Sequence, residues 1–159
     1  MNRPDVVVVG GGHAGVEASL AASRSGSRVI LVTMDASAIG RMSCNPAIGG
    51  LAKGHLVKEI DALGGVMGVA SDHTGIQFKT LNRSKGRAVW SPRAQIDKKQ
   101  YSRFVQNKIK GDPKITVLID EIVDIVVNNA SITGVKLKKH GLIDTLSVIV
   151  CGGTFMNGI

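Results

Sequence analysis

The amino-acid sequence predicts an α/β fold built around a parallel sheet. Two observations carry this prediction: four consecutive valines at Val6–Val9, and an alternation of strand, helix and strand patterns over residues 6–33. A short β-branched run without polar alternation is typical of a strand that is buried on both faces of a parallel sheet. We expect Val6–Val9 to be the central strand.

The helix of this first unit is predicted between Gly12 and Ser25, with Gly26 just beyond its last turn. Many of its side chains are small, which would let the helix pack closely on the sheet. Arg28–Thr33 then predicts a second strand, so strand, glycine turn, helix and strand are complete within about thirty residues.

The middle of the chain is less regular. Residues 36–54 show no clear periodicity and predict an ordered loop of the length that usually binds a ligand. Helical spacing returns at His55–Leu63, and Ile76–Leu81 predicts a short strand. A further helix is expected to begin at Ser91-Pro92 and to stop at Gly111-Asp112-Pro113.

The last part of the chain is rich in β-forming residues. Turn residues separate its apolar segments, which predicts a parallel strand followed by an antiparallel meander over approximately residues 121–147. The four segments are Ile115–Ile119, Ile122–Val127, Ile132–Leu137 and Ile143–Val150.

Charge and composition narrow the class of protein. A formal charge of +8 and a pI near 9.8 favour polyanionic partners such as nucleic acid, whereas an aromatic content of 3% disfavours a base-stacking platform. Cys44 and Cys151 lie far apart without CxxC or histidine neighbours, so neither a metal site nor a disulfide is indicated. No signal peptide and no apolar span of ~18 residues is present, so a soluble, intracellular protein is expected.

The most informative short motif is Gly10-x-Gly12-x-x-Gly15, which follows the first strand and opens the first helix. In this pattern the first glycine permits a tight turn, the second lets the backbone approach a pyrophosphate, and the third allows close helix–strand packing. The helix amino terminus offers N–H groups and a positive dipole to the phosphates. The alternative is a purely structural glycine turn, which the flanking strand and helix make less favoured.

The residue expected to bind the adenosine ribose departs from the common pattern. An acid usually stands at the end of the second strand, but here the position is Thr33, with Asp35 two residues on. A hydroxyl binds a ribose less strongly than a carboxylate does, which disfavours an ordinary NAD dehydrogenase. A small NAD-linked oxidoreductase stays as an alternative.

Several longer motifs resemble the MnmG (GidA) family of tRNA uridine 5-carboxymethylaminomethyl modification enzymes. They cover almost the whole chain and are far more specific than the glycine pattern. They are residues 10–18 (GGGHAGVEA), 42–50 (MSCNPAIGG), 53–65 (KGHLVKEIDALGG), 75–78 (GIQF), Asn82, 84–86 (SKG), 93–95 (RAQ) and 153–155 (GTF).

This resemblance implies a cytoplasmic FAD enzyme that modifies carbon 5 of the wobble uridine of tRNA. It implies an MnmE-type GTPase partner, NADH as reductant of the flavin, methylenetetrahydrofolate as one-carbon donor and a homodimer at full length. The implied fold is the Rossmann-like FAD-binding domain of the glutathione-reductase type, with a β-meander insertion. Thr33 fits this family.

The resemblance also implies roles for individual residues. The FAD phosphates would contact the backbone of Gly10, Gly11, Gly12, His13, Ala14 and Gly15. Asn45, Gly49 and Gly50 would lie near the flavin ring, and the backbone of Ile122 near adenine. Two interpretations are open for Cys44: a nucleophile toward uridine, or a thiol that packs under the isoalloxazine ring.

Two departures from the family pattern are evident. Arg87 stands where the family has proline, and the family's chain continues several times beyond residue 159. We therefore expect residues 1–159 to be the amino-terminal part of an FAD-binding domain. A third hypothesis is a non-catalytic, truncated remnant that binds a nucleotide, or that binds RNA or a partner by charge. Candidate RNA-facing cations are Lys53, Lys58, Lys79, Lys85, Arg87 and Arg93.

Overall fold

The computed structural model describes residues 3–42 and 45–153. The chain divides into two compact units: the first comprises Met1–Gly40 and Gln106–Ile159, and the second Arg41–Val105. In residues 3–42 and 45–153, no helix has both the length and the apolar character needed to cross a bilayer.

Ten strands and four α-helices are described. In chain order they are β1 (Val6–Val9), α1 (His13–Arg24), β2 (Val29–Thr33), β3 (Ala47–Gly49), α2 (Leu51–Ala62), α3 (Val66–Thr74), β4 (Gly75–Leu81), β5 (Ser91–Ile96), α4 (Lys98–Lys110), β6 (Ile115–Ile119), β7 (Ile122–Asn128), β8 (Ser131–Leu137), β9 (Gly141–Asp144) and β10 (Ser147–Val150). Short 3₁₀ turns lie at Ala36–Ala38, Arg83–Lys85 and Arg87–Val89.

The first unit contains a four-stranded parallel sheet in the order β10-β1-β2-β6. The predicted parallel α/β fold is therefore confirmed, and the valine strand β1 lies inside the sheet. Val7 and Val8 are inaccessible to solvent, and every residue of β2 is buried. Helix α1 also follows the prediction, and Gly26 with φ +96° comes directly after its C-cap residue Ser25.

A second sheet of the first unit is the antiparallel meander β7-β8-β9. Val135 and Leu137 of β8 form one hydrophobic cluster with residues of the parallel sheet. The predicted β segment Ile143–Val150 is divided between the two sheets, because β9 belongs to the meander and β10 to the parallel sheet. The break is at Thr145, which is buried and whose hydroxyl hydrogen-bonds the carbonyls of Asp5 and Ser147.

The second unit holds a three-stranded antiparallel sheet in the order β3-β5-β4. The predicted helix start at Ser91-Pro92 is wrong, because Ser91–Ile96 forms the middle strand of this sheet. Helix α4 begins instead after Asp97, whose carboxylate accepts hydrogen bonds from the N–H groups of Lys99 and Gln100. The carboxylate satisfies donors that a helix start leaves without intrahelical partners.

The expected loop over residues 36–54 is also partly wrong. It contains a 3₁₀ turn, strand β3 and the first turn of α2, which begins four residues before the predicted start at His55. The tertiary contact that decides this is the pairing of β3 with β5, which periodicity within such a short segment does not reveal. Helix α3 has no counterpart in the sequence-based expectations.

Candidate dinucleotide-binding site

The β1–α1 turn is held in place by backbone contacts. Gly10 has φ +104°, and its N–H donates to the Val32 carbonyl at 2.8 Å. A Cβ at Gly10 would lie 2.4 Å from the Cys151 carbonyl oxygen. Only glycine satisfies both the conformation and the space at this position.

The third glycine of the pattern brings α1 against the turn. A Cβ at Gly15 would lie 1.8 Å from the Gly10 carbonyl oxygen, so a side chain there would push the helix away. Gly11 is similarly close to its surroundings, with the Ile39 and Thr33 side chains 3.0 and 3.2 Å from a built Cβ. The helix amino terminus is therefore fixed close to the end of β1.

Gly12 differs from its neighbours because no atom of residues 3–42 and 45–153 lies within 4 Å of a Cβ built on it. It is the N-cap residue of α1, and neither a side-chain cap nor an acidic residue in the first turn satisfies the helix end. Backbone N–H groups and the helix dipole attract an anion at such an end. The open position and the uncapped helix fit the diphosphate of a dinucleotide.

Thr33 ends β2 beside this turn and is 8% exposed. Its hydroxyl contacts the Asp35 backbone, with the carbonyl 3.2 Å away, and its carbonyl accepts the N–H of Asp120 at 3.0 Å. The Asp35 carboxylate accepts hydrogen bonds from the N–H and hydroxyl of Ser37. Thr33, not Asp35, therefore holds the position at the strand end next to Gly11.

Asp120 is a residue of this sheet edge that sequence analysis missed. Its side chain is inaccessible to solvent and accepts hydrogen bonds from the N–H groups of Glu121, Lys139 and His140, while His140 Nδ1 lies 2.6 Å away. Burial alone would raise the pKa of Asp120. The hydrogen bonds outweigh this effect and lower the pKa to about 2, and the bond with the His140 side chain makes the largest contribution to the lowering. Asp120 thus ties the exit of β6 to the β8–β9 turn. In the sequence, the feature that could have indicated Asp120 is an acidic residue directly after the apolar segment Ile115–Ile119.

Ile122 begins β7, three residues beyond the end of β6. The carboxyl ends of β1, β2 and β6 lie at one edge of the parallel sheet, and Thr33 pairs with Ile119 there. The Ile122 side chain is half-buried and packs against the hydrophobic cluster. The fold therefore brings Ile122 to the sheet edge where the glycine turn and Thr33 also lie.

The remaining predicted site residues belong to the second unit. The Asn45 carbonyl accepts the N–H of Ala47 at 2.8 Å, and Gly50 N–H donates to the Pro92 carbonyl at 2.9 Å. A Cβ at Gly49 would lie 2.2 Å from the Pro92 oxygen, so Gly49 allows β3 to approach β5. Cys44 lies outside the described residues.

The second unit also contains an open cavity of about 360 Å³ that the sequence did not predict. Its walls include apolar groups of β3, β4 and β5 together with charged side chains of both signs. The charged residues are Lys58, Asp61, Asp72, Lys79 and Arg93.

The parallel sheet, the glycine turn and helix α1 define an α/β protein with the βαβ arrangement typical of dinucleotide-binding folds. A family model described as glucose inhibited division protein A matches residues 5–159, and the chain belongs to this family. The predicted family is therefore confirmed.

Three similar proteins illustrate the relationship. The chain is 52% identical over 155 residues to the tRNA uridine 5-carboxymethylaminomethyl modification enzyme MnmG of Aquifex aeolicus, covering 98% of this chain and 25% of that protein. The form I crystal structure of Aquifex aeolicus GidA superimposes with a TM-score of 0.95 at 51% identity, over 98% of this chain and 26% of the other. PqsL, a probable FAD-dependent monooxygenase from Pseudomonas aeruginosa, shares the fold, with a TM-score of 0.63 at 17% identity over 92% and 42% of the two chains. The chain spans about a quarter of the length of its MnmG relatives.

Proposed function

We propose that this chain is the FAD-binding portion of an enzyme that installs the carboxymethylaminomethyl group on carbon 5 of the wobble uridine of tRNA. The observation that carries the proposal is the open position at Gly12 in front of the uncapped α1, between two glycines whose positions admit no side chain. The name of the 52% identical relatives supports the choice of reaction.

In this proposal the chain binds FAD mainly through its backbone. The N–H groups at the start of α1 hold the diphosphate, and Gly10, Gly11 and Gly15 keep the turn and the helix close enough to do so. Thr33 and the backbone of Ile122 hold the adenosine end. When bound, FAD supplies the redox chemistry of the reaction, as flavins do in general.

The flavin ring is assigned to the second unit's Asn45, Gly49 and Gly50. Cys44 directly precedes this stretch of sequence and serves either as a nucleophile toward uridine or as a packing partner of the ring. The β7–β9 meander is the insertion of a glutathione-reductase type of FAD domain. Support for these assignments comes from the family motifs that contain the residues.

Other features belong to the complete protein of this family. We assign to it NADH as the reductant of the flavin, an MnmE-type GTPase as partner, a homodimeric state and a cytoplasmic location. The basic character of this chain, with a formal charge of +8, is consistent with tRNA as the substrate.

Gly12→Asp tests the phosphate site directly. A carboxylate there would face the diphosphate, and two unit charges about 4 Å apart repel strongly enough to lower FAD affinity at least about a hundredfold. Gly12→Asn is the matched control, because it adds nearly the same volume without the charge. Titration of the purified chain with FAD, followed by flavin fluorescence, measures both variants.

Both variants should unfold at nearly the temperature of the unsubstituted chain, since none of the residues that the structure describes has an atom within 4 Å of the added Cβ. Unchanged FAD affinity in Gly12→Asp would refute the proposed phosphate site. Tighter binding of NAD than of FAD would favour the small NAD-linked oxidoreductase instead. A chain that binds tRNA in a salt-dependent manner but takes up neither dinucleotide would favour the RNA-binding remnant.

A further inference from the structure

One stretch of the second unit is strongly basic. Residues 73–96 contain five Lys and Arg residues and no Asp or Glu. In residues 3–42 and 45–153, none of these five side chains forms an ion pair with a carboxylate. The five are Lys79, Arg83, Lys85, Arg87 and Arg93. Their charges are therefore available to an external anion.

Three of these cations lie in the connection between β4 and β5, residues 82–90, which we call the basic turn. Asn82 has φ +58°, and its carbonyl accepts the N–H of Lys85 at 2.9 Å. The Asn82 side chain also donates to the Val89 carbonyl at 3.3 Å, and Val89 N–H donates to Gly86. These bonds close the turn on itself, although residues 83–90 are all exposed.

Trp90 organises two of the arginines. Its indole Nε1 donates to the Arg83 carbonyl at 3.2 Å, which holds the ring across the turn. The guanidinium carbons of Arg83 and Arg87 lie 6.0 and 5.8 Å from the ring centroid. An aromatic face attracts a guanidinium and leaves its in-plane N–H donors free for a phosphate.

A like-charge pair extends the basic surface along the hairpin. Lys79 of β4 lies directly opposite Arg93 of β5 in the antiparallel register. Like charges in directly opposed positions destabilise a sheet, so an anion bound between them would offset the repulsion. The pair stands about 10 Å from the basic turn, estimated as three residues of strand rise.

We propose that the basic turn binds the phosphate backbone of RNA, with Arg83 and Arg87 contacting phosphates and Trp90 acting as a positioning residue that orients both guanidiniums. Lys79 and Arg93 contact the same strand further along. The proposal rests on the proposed function for the choice of tRNA as the RNA. It adds which surface of this chain meets that substrate.

An anionic membrane is the main competing partner for an exposed turn with arginines and a tryptophan. A tryptophan that anchors a protein in a membrane places its ring among the headgroups. The Trp90 ring instead lies beside two guanidiniums, and its N–H is bonded to the protein backbone. These contacts favour a phosphodiester chain over a lipid surface.

Removing the two guanidiniums tests the proposal. In the purified chain, Arg83→Gln/Arg87→Gln should lower the affinity for tRNA on the order of tenfold per arginine. The slope of log affinity against log salt should shrink by about 1.4 to 1.8, since each lost phosphate contact contributes about 0.7 to 0.9. Fluorescence anisotropy of labelled tRNA at several salt concentrations measures both quantities.

The matched control is Arg103→Gln/Lys110→Gln, which removes the same charge from exposed positions of α4. This variant should lose less than about threefold in affinity, since it changes only the long-range attraction of the whole molecule. An equal loss in the two double variants would overturn the proposal, because the basic turn would then contribute only net charge.

Trp90 is tested as a positioning residue. Trp90→Leu should weaken tRNA binding, while Trp90→Phe, which keeps an aromatic face, should retain most of the affinity. Adding Trp90→Leu to Arg83→Gln/Arg87→Gln should change affinity little, because the guanidiniums it orients are already absent. An additive loss would show that Trp90 acts otherwise and would contradict this role.

Two further measurements separate the outcomes. The chain is compared for binding to phosphatidylserine vesicles and to tRNA. If it binds the vesicles more tightly than it binds tRNA, and if Arg83→Gln/Arg87→Gln abolishes vesicle binding, the basic turn is a membrane contact and the proposal is overturned. FAD titration of the same variants should be unchanged. If the chain fails to bind FAD but Arg83→Gln/Arg87→Gln still lowers the affinity for tRNA, the FAD proposal fails and the proposal that the basic turn binds RNA stands.

Discussion

Two of the glycine turns that precede helices use the missing side chain differently. The turn at Gly10–Gly15 precedes α1, and the turn at Gly49-Gly50 precedes α2. Both helices lack a side-chain cap at their amino termini. At the first turn the tight contacts are at Gly10 and Gly15, and Gly12 between them faces open space. At the second turn Gly49 meets the neighbouring strand, and Gly50 donates its N–H to that strand.

The difference teaches that a glycine-rich turn before a helix has no single meaning. At the first turn, Gly10 and Gly15 hold a helix end at which a Gly12 Cβ would meet no atom of the described part of the chain, and an anion site requires such an open helix end. At the second turn, Gly50 N–H already has the Pro92 carbonyl as its acceptor. The first turn therefore has the features that the proposed phosphate site needs, whereas the second packs against strand β5.

The largest effect is expected at the first turn. Gly15→Ala places a Cβ 1.8 Å from the Gly10 carbonyl oxygen, so α1 must move away from β1. The free energy of unfolding should fall by about 4 kcal/mol, the range of severe overpacking. Gly12→Ala is the control and should cost less than about 1 kcal/mol, since its Cβ meets no atom among the described residues. Urea denaturation measures both, and equal losses would contradict the division of roles between these glycines.

A smaller effect is expected at the second turn. Gly49→Ala combines a positive φ with a Cβ 2.2 Å from the Pro92 oxygen and should cost about 3 kcal/mol. Gly50→Ala has a similar positive φ, but within 3–42 and 45–153 no atom lies less than 4 Å from its Cβ, so about 1 to 2 kcal/mol is expected. The difference between the two variants isolates the contact with Pro92. If thermal unfolding shows no difference, β3 does not approach β5 as described.

The smallest effect is one of pH dependence, at the sheet edge beside the first turn. The pKa of Asp120 is lowered from 3.8 to about 2 in the folded chain. A lowered pKa stabilises the folded state above pH 3.8, and this stabilisation is lost as the pH falls toward 2. Asp120→Asn should flatten that part of the stability curve and leave the slope above it unchanged.

Asp5→Asn is the comparison for this measurement. The hydrogen bond from the Arg28 side chain lowers the pKa of Asp5, but both side chains of the pair are substantially exposed. Its effect on the acid slope should be smaller than that of Asp120→Asn, because solvent screens an exposed pair. A larger effect at Asp5 would show that Asp120 does not hold the β6 exit to the β8–β9 turn.

Sequence reasoning worked best where one physical cause sets the local structure. Val6–Val9 is too uniformly β-branched to be anything but a buried strand, and the three spaced glycines mark the turn that follows it. Sequence reasoning failed where strand pairing between residues distant in sequence decides the secondary structure. Ser91–Ile96 carries a Ser-Pro start typical of a helix, yet pairing with both β3 and β4 makes it the central strand of its sheet.

The sequence by itself determined the family, the parallel α/β class and the glycine pattern of the candidate site, because these depend on residue types at fixed spacing. Tertiary structure decided which glycines pack against other atoms and which do not, since that depends on atoms distant in sequence, such as the Cys151 carbonyl. It also decided the burial of Asp120 and the closeness of Arg83 and Arg87 to Trp90. Such contacts form only when the chain folds, because spacing along a sequence does not specify distance across a sheet or a turn.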